Sequence, residues 1–169
     1  MNTAMRKHLA ITVLILFLAI LTWTLSQRGC KDRKMDFNKV NSDISMLAKL
    51  INLPVTPKSV RWQVLEPKRG QAGFGPSDWM LVAVMDLENG QAEQLSSQSV
   101  PVAAADKLID PFFRSLLTVE LNNMVVELLE SYPAPEWCVA NQFFRPPLLN
   151  GVFVLSRSAN RLVLVLVTT

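Results

Sequence analysis

The stretch "LAITVLILFLAILTWTL", Leu9 to Leu25, constrains this chain more than any other feature, because its 17 residues carry no charge. As a helix rising about 1.5 Å per residue it spans about 26 Å, just short of a ~30 Å hydrocarbon core. A soluble helix of that length shows a polar stripe, and here only Thr12, Thr22 and Thr24 interrupt the apolar surface. Trp23 suits the headgroup boundary, and Ser26 and Gln27 extend the span a little. The expectation is a transmembrane anchor over residues 9–26, built on Leu9, Leu14, Phe17, Leu21, Trp23 and Leu25. Residues 1–8 form a short basic start, 27–35 a charged collar, and 36–169 one globular domain.

A cleaved signal peptide has the same basic start and apolar run. The residues behind the run argue against it: "LSQRGC" puts Gln27 and Arg28 where cleavage needs small side chains. The same two residues break the pattern that lipid attachment at Cys30 requires. The order of preference is therefore an uncleaved anchor, then cleavage, then lipidation.

The net charge of +3 hides an asymmetry. Residues 1–34 carry Arg6, Lys7, Arg28, Lys31, Arg33 and Lys34 against Asp32, which is +5 and leaves −2 for the remainder. A nucleic-acid binder keeps its basic surface on the folded part, so nucleic acid is not an expected partner. Here the positive charge lies beside the bilayer, where anionic lipid attracts it. Two Lys/Arg precede the run and four come after it, which by the positive-inside rule places the domain in the cytoplasm. A short basic start before an apolar run acts instead as a signal anchor that exports the domain behind it. The reading adopted is a single-pass protein of the inner membrane with an extracytoplasmic domain.

Phe37, Val40, Ile44, Leu47 and Ile51 recur at helical spacing, so the pattern predicts a helix over Asp36–Ile51, stopped by Pro54 and Pro57. "SVRWQVLE" and "DWMLVAVMDLE" read as strands joined by the loop 67–77. Residues 89–105 read as a surface excursion. Asp110 and Pro111 then open a helix that runs from Arg114 to Glu130, with Leu117, Leu121, Met124 and Leu128 on one face. A hairpin turning at Asn122-Asn123 is the rival. Trp137 to Phe144 have room for a short strand or helix, and "GVFVLSR-SAN-RLVLVLVTT" reads as a hairpin. In its second strand Leu162, Leu164 and Leu166 face one way and Val163, Val165 and Val167 the other, so that strand should be covered on both sides. The fold class is α+β, with element order αββαββ and an antiparallel sheet. Two such units commonly pair into four strands with helices on one face, a ferredoxin-like arrangement.

The glycines Gly70, Gly73 and Gly75 in "GQAGFGPS" resemble a phosphate-binding loop only in composition. Such loops lead from a strand into a helix whose N-terminus meets the anion, whereas here a second strand should leave the loop. The single histidine, His8, precedes the anchor, so neither Cys138 nor any serine has an imidazole base within its own domain. Cys30 and Cys138 read as two unpaired thiols. Zinc sites with several Cys/His ligands are excluded by count. No catalytic residue, metal ligand or cofactor is nominated.

What remains is recognition. Tyr132 and Trp137 in "YPAPEW" and Phe143, Phe144 and Arg145 in "FFRPP" are residue types enriched at binding hot spots, on loops stiffened by proline. An anchor, a short amphipathic helix and a ferredoxin-like domain resemble, in element order, the inner-membrane assembly-platform proteins of bacterial secretion and pilus machines. The resemblance implies an assembly role and carries over no residue. The expected function is a membrane-anchored, non-enzymatic subunit of the bacterial cell envelope that binds another membrane or envelope protein, or itself. The rivals are an envelope hydrolase working through Asp78, Asp86 and Glu88, and a tethered immunity or inhibitor protein.

Overall fold

The computed structural model describes residues 39–66, 78–102 and 111–168, the side chains of Pro111 and Phe112 excepted. The expected anchor, the charged collar, Cys30, the glycine-bearing loop and the capping Asp110 lie outside the described residues.

Every residue of "RLVLVLV" has an apolar environment to find except the first, and the fold provides it. This strand, β5 (Arg161–Val167), lies at the centre of a five-stranded antiparallel sheet, with β1 (Ser59–Leu65) and β2 (Met80–Asp86) on one side. On the other lie β4 (Asn150–Ser156) and β3 (Glu136–Val139), giving the order β1-β2-β5-β4-β3. Side chains alternate across a strand, and the register carries each alternation through the whole sheet. Trp62, Ala83, Leu164 and Phe153 form one row, and Val82, Val165 and Val152 belong to the opposite face. One face is therefore mostly leucine and aromatic, the other mostly valine.

Helices cover both faces. On the valine face α4 (Val119–Leu129) packs Leu121, Val125 and Leu128 against Val82, Val84, Val163 and Val165. Ahead of it lies α3 (Pro111–Leu116), with Phe113 and Leu116 partly buried on the same cluster. The leucine face is covered by α1 (Ile44–Leu50), whose Asp43 carbonyl accepts from Trp62 Nε1 at 3.2 Å. Also there are α2 (Gln91–Ser97), which reaches Glu136 through Ser96, and the 3-10 turn Asn141–Phe143. Five strands with helices on both faces replace the expected four with helices on one. The short β3 falls where Trp137 to Phe144 had room for a strand, whereas the second helical layer left no signal in the element order.

Four elements depart from the sequence expectation for identifiable reasons. The first helix among the described residues begins at Ile44 and residues 39–43 are not helical, because the Asp43 side chain caps it by accepting from Met46 N; the expected start at Asp36 lies outside the described residues. Asn41, just before, exchanges backbone hydrogen bonds with Trp62 at 2.8 and 2.9 Å and blunts the open edge of β1. Val40 then packs against the valine-face cluster, so the chain wraps round that edge. Residues 91–97 form α2 rather than a surface excursion; Ala92 and Leu95 are its only fully buried side chains, too few to show a periodicity. The Arg114–Glu130 helix is broken between α3 and α4, with Thr118 as the new N-cap, and its helical character excludes the hairpin at Asn122-Asn123. The break has a partner in the sheet. Gln63, 1% exposed, accepts from Thr118 N at 3.1 Å and donates to Leu116 O at 3.4 Å, so its amide satisfies two backbone groups that the break frees.

Gly151 is required where β4 meets β5. Its φ is +149°, and an added Cβ would lie 2.1 Å from the Val165 carbonyl oxygen. The far edge, β3, is covered by residues 100–102, through Val102 N to Trp137 O at 2.9 Å and Val139 N to Val100 O at 3.0 Å.

Candidate functional site

The loop from Ser131 to Glu136 leaves the C-terminus of α4 and enters β3. Its first residue is moored by Ser131 Oγ donating to Ser156 Oγ at 3.3 Å, and by Ser131 N donating to Leu128 O at 3.1 Å. Its last residue is moored by a triangle: Glu136 accepts from Ser96 Oγ at 2.8 Å and pairs with Arg157 at 2.6 Å, and Arg157 also donates to Ser96 Oγ at 2.6 Å. Between these points Pro133 and Pro135 limit the backbone. The side chain displayed is Tyr132, 95% exposed. A large amphipathic ring held out from moored ends on a stiff loop is presented at low entropic cost to binding.

The second proline-rich segment is built differently. Phe143 is 0% exposed and stands edge-on to Phe153, ring centroids 5.4 Å apart. The Phe143 and Phe144 carbonyls accept from the backbone and side chain of Asn52, and Arg145 donates to the Ala48 carbonyl at 2.7 Å. This segment ties down the C-terminal end of α1. Trp137 is half-buried against the valine-face cluster. Of the five nominated residues, then, Phe143 has no surface to offer, Trp137, Phe144 and Arg145 serve packing and bonding, and Tyr132 stands in solvent. Val119, Val100 and Leu149 are exposed apolar residues that the sequence pattern did not single out. Each sits in a stretch whose pattern suggests an ordinary element, so no local signal marks it.

A charged row crosses the valine face beside this loop. Asp86 accepts from Ser59 Oγ at 2.6 Å and from Arg161 Nε at 2.7 Å, and Arg161 reaches Glu127 at 3.1 Å. Burial alone would raise the Asp86 carboxyl, but Ser59 and Arg161 outweigh it and hold it below the usual carboxylate range. The hydrogen bond to Asp86 in turn raises Arg161, so both partners stay charged. A carboxyl poised for acid catalysis needs the opposite shift. Asp78 lies at the other end of β2, roughly 25 Å away at the usual strand rise, and Glu88 is exposed. Burial, then the charge of Glu136, push the Cys138 thiol up, away from the thiolate a nucleophile needs. The glycine-bearing loop is flanked by two paired strands, β1 and β2, and not by the strand and helix of a phosphate cradle.

Among the described residues no group of His, Cys, Asp and Glu could hold a metal ion, and no helix is long and apolar enough to cross a membrane. No protein family, curated protein or solved structure matches the chain.

Proposed function

We propose that this protein is a single-pass, membrane-anchored, non-enzymatic subunit of the bacterial cell envelope whose exported domain binds another membrane or envelope protein, or a second copy of itself. The observation that carries the reading is the joining of two features in one chain: the uncharged Leu9–Leu25 run and the solvent-borne Tyr132 on its moored loop. Anchoring confines the domain to two dimensions, which raises its effective concentration toward membrane partners. The bilayer is then a partner through the run itself, and the basic collar favours anionic lipid. Within the same proposal, the ferredoxin-like kinship rests on the β1–β2 and β4–β5 hairpins meeting at the β2–β5 pair. The additional β3 and the helices on both faces set it apart from the simple four-stranded form.

The test is alkaline extraction of membranes and then co-purification of the full chain after solubilisation. The chain should resist extraction, and a membrane or envelope protein should co-purify with the native chain and be lost with Tyr132→Ala. A chain released by alkali, or a partner retained in full by Tyr132→Ala, would contradict the anchor or the loop respectively.

A further inference from the structure

We propose that one end of the sheet, where β1 and β5 stop and β2 and β4 start, is a lipid-facing surface that rests on anionic headgroups and holds the Tyr132 loop on the far side of the domain. The inference rests on the anchored reading above and adds an orientation to it. The register sorts the exposed groups between two ends. Leu65, Met80, Val167 and Asn150 mark the first end, and Ser59, Asp86, Arg161 and Ser156 the second. Strands of seven residues set the ends about 20 Å apart.

Three observations point to lipid at the first end, and charge is the strongest. Lys49 sits beside Arg145 there, because Arg145 donates to the Ala48 carbonyl at 2.7 Å and the turn from Arg145 to Leu148 leads into β4. Lys39 belongs to the same end: Asn41 pairs antiparallel with Trp62, so the chain before it runs toward Val64 and Leu65. All three cations are exposed, and neither lysine makes an ion pair among the described residues. Against them stand Glu66, exposed, and Asp78, half-buried. At the second end Asp86, Glu88, Glu127, Glu130 and Glu136 outnumber Lys58, Arg157 and Arg161. Anionic lipid therefore attracts the first end and repels the second. The side chains that precede the strands are the next observation. Leu149, 51% exposed, precedes β4, and half-buried Trp79 precedes β2. Trp79 N donates to Thr168 Oγ1 at 2.8 Å and its carbonyl accepts from Thr168 N at 3.1 Å, which fixes the indole at this end. Tryptophan is at home at the headgroup boundary. Last comes the tether. The uncharged run ends at Leu25, fourteen residues before Lys39, so the connection reaches at most about 50 Å and delivers the chain to the positive end.

Paramagnetic relaxation of the full chain in lipid nanodiscs tests this with no protein partner. A lipid carrying gadolinium on its headgroup relaxes nearby amides, and the effect falls with the sixth power of distance. In discs of equal parts phosphatidylglycerol and phosphatidylcholine, the Lys49 and Leu149 amides should relax more than about tenfold more strongly than those of Tyr132 and Asn160, which lie about 20 Å farther from the surface. In phosphatidylcholine alone that ratio should fall toward one. Lys39→Glu combined with Lys49→Glu should lower it in the same way in the anionic discs. Equal relaxation at the two ends in anionic discs, or a ratio that the two charge reversals leave unchanged, would overturn the proposal and leave the anchor standing. A chain that co-elutes with neither disc would overturn the anchored reading, and this proposal with it.

Discussion

Tyr132 and Phe143 belong to one proline-rich stretch of the chain, yet the first is 95% exposed and the second 0%. Both are aromatic, both have proline nearby, and nothing in the local sequence ranks one above the other as a surface residue. The difference lies in what the fold brings opposite them. Phe143 comes after β3 in a 3-10 turn beneath the leucine face, where Phe153 from β4 supplies an edge-on partner. Tyr132 emerges beyond the last turn of α4, and its loop is tied through the polar groups of Ser131 and Glu136. One loop therefore serves the core while the other leaves its ring open to a partner.

Five perturbations would break or sharpen that contrast. Phe143→Ala should cost about 3–5 kcal/mol of stability, as buried aromatic truncations do. Tyr132→Ala should stay within about 0.5 kcal/mol of the native chain; denaturant midpoints of the two variants would collapse the contrast if they matched. Acid should act first on the side of the Tyr132 loop. The Asp86 carboxyl is depressed in the folded state, so its contribution is present above the ~3.9 of an unfolded aspartate and is lost as pH falls below that value. The urea midpoint should therefore drop below about pH 4, and Asp86→Asn should flatten that drop; an equally steep drop in the variant would detach the charged row from acid stability. Arg145→Ala removes one charge-assisted bond to the Ala48 carbonyl on the surface and should cost about 1 kcal/mol, read as a small shift in melting temperature. Smallest of all, Glu136→Gln weakens the half-exposed pair with Arg157 and should move stability by less than about 0.5 kcal/mol, since the moorings orient the loop more than they stabilise the domain.

The sheet was largely legible in the sequence. Alternation in "SVRWQVL" and the two-sided apolarity of "RLVLVLV" are strong signals, and β5 lies at the centre with both faces covered, as its pattern requires. Helices were harder to read. In α2 only Ala92 and Leu95 are fully buried, and the α3–α4 break depends on Gln63, a residue some fifty positions earlier. A long-range hydrogen bond of that kind leaves no trace in a local window. The candidate site was legible as a composition, aromatics among prolines, but not as a geometry. Which aromatic is buried depends on Phe153, and which is displayed depends on no described element standing over Tyr132. The uncharged run at Leu9–Leu25 is the reverse case, a reading that rests wholly on the sequence.

Site-specific photo-crosslinking in intact cells tests the central claim most directly, with a photoreactive phenylalanine analogue placed at Tyr132 in the full chain and, as the control, at Phe143. The account predicts a discrete adduct with a membrane or envelope protein, or with a second copy of the chain, from Tyr132 and none from Phe143. The contradicting result is no adduct from Tyr132 in a chain that is correctly folded and membrane-bound.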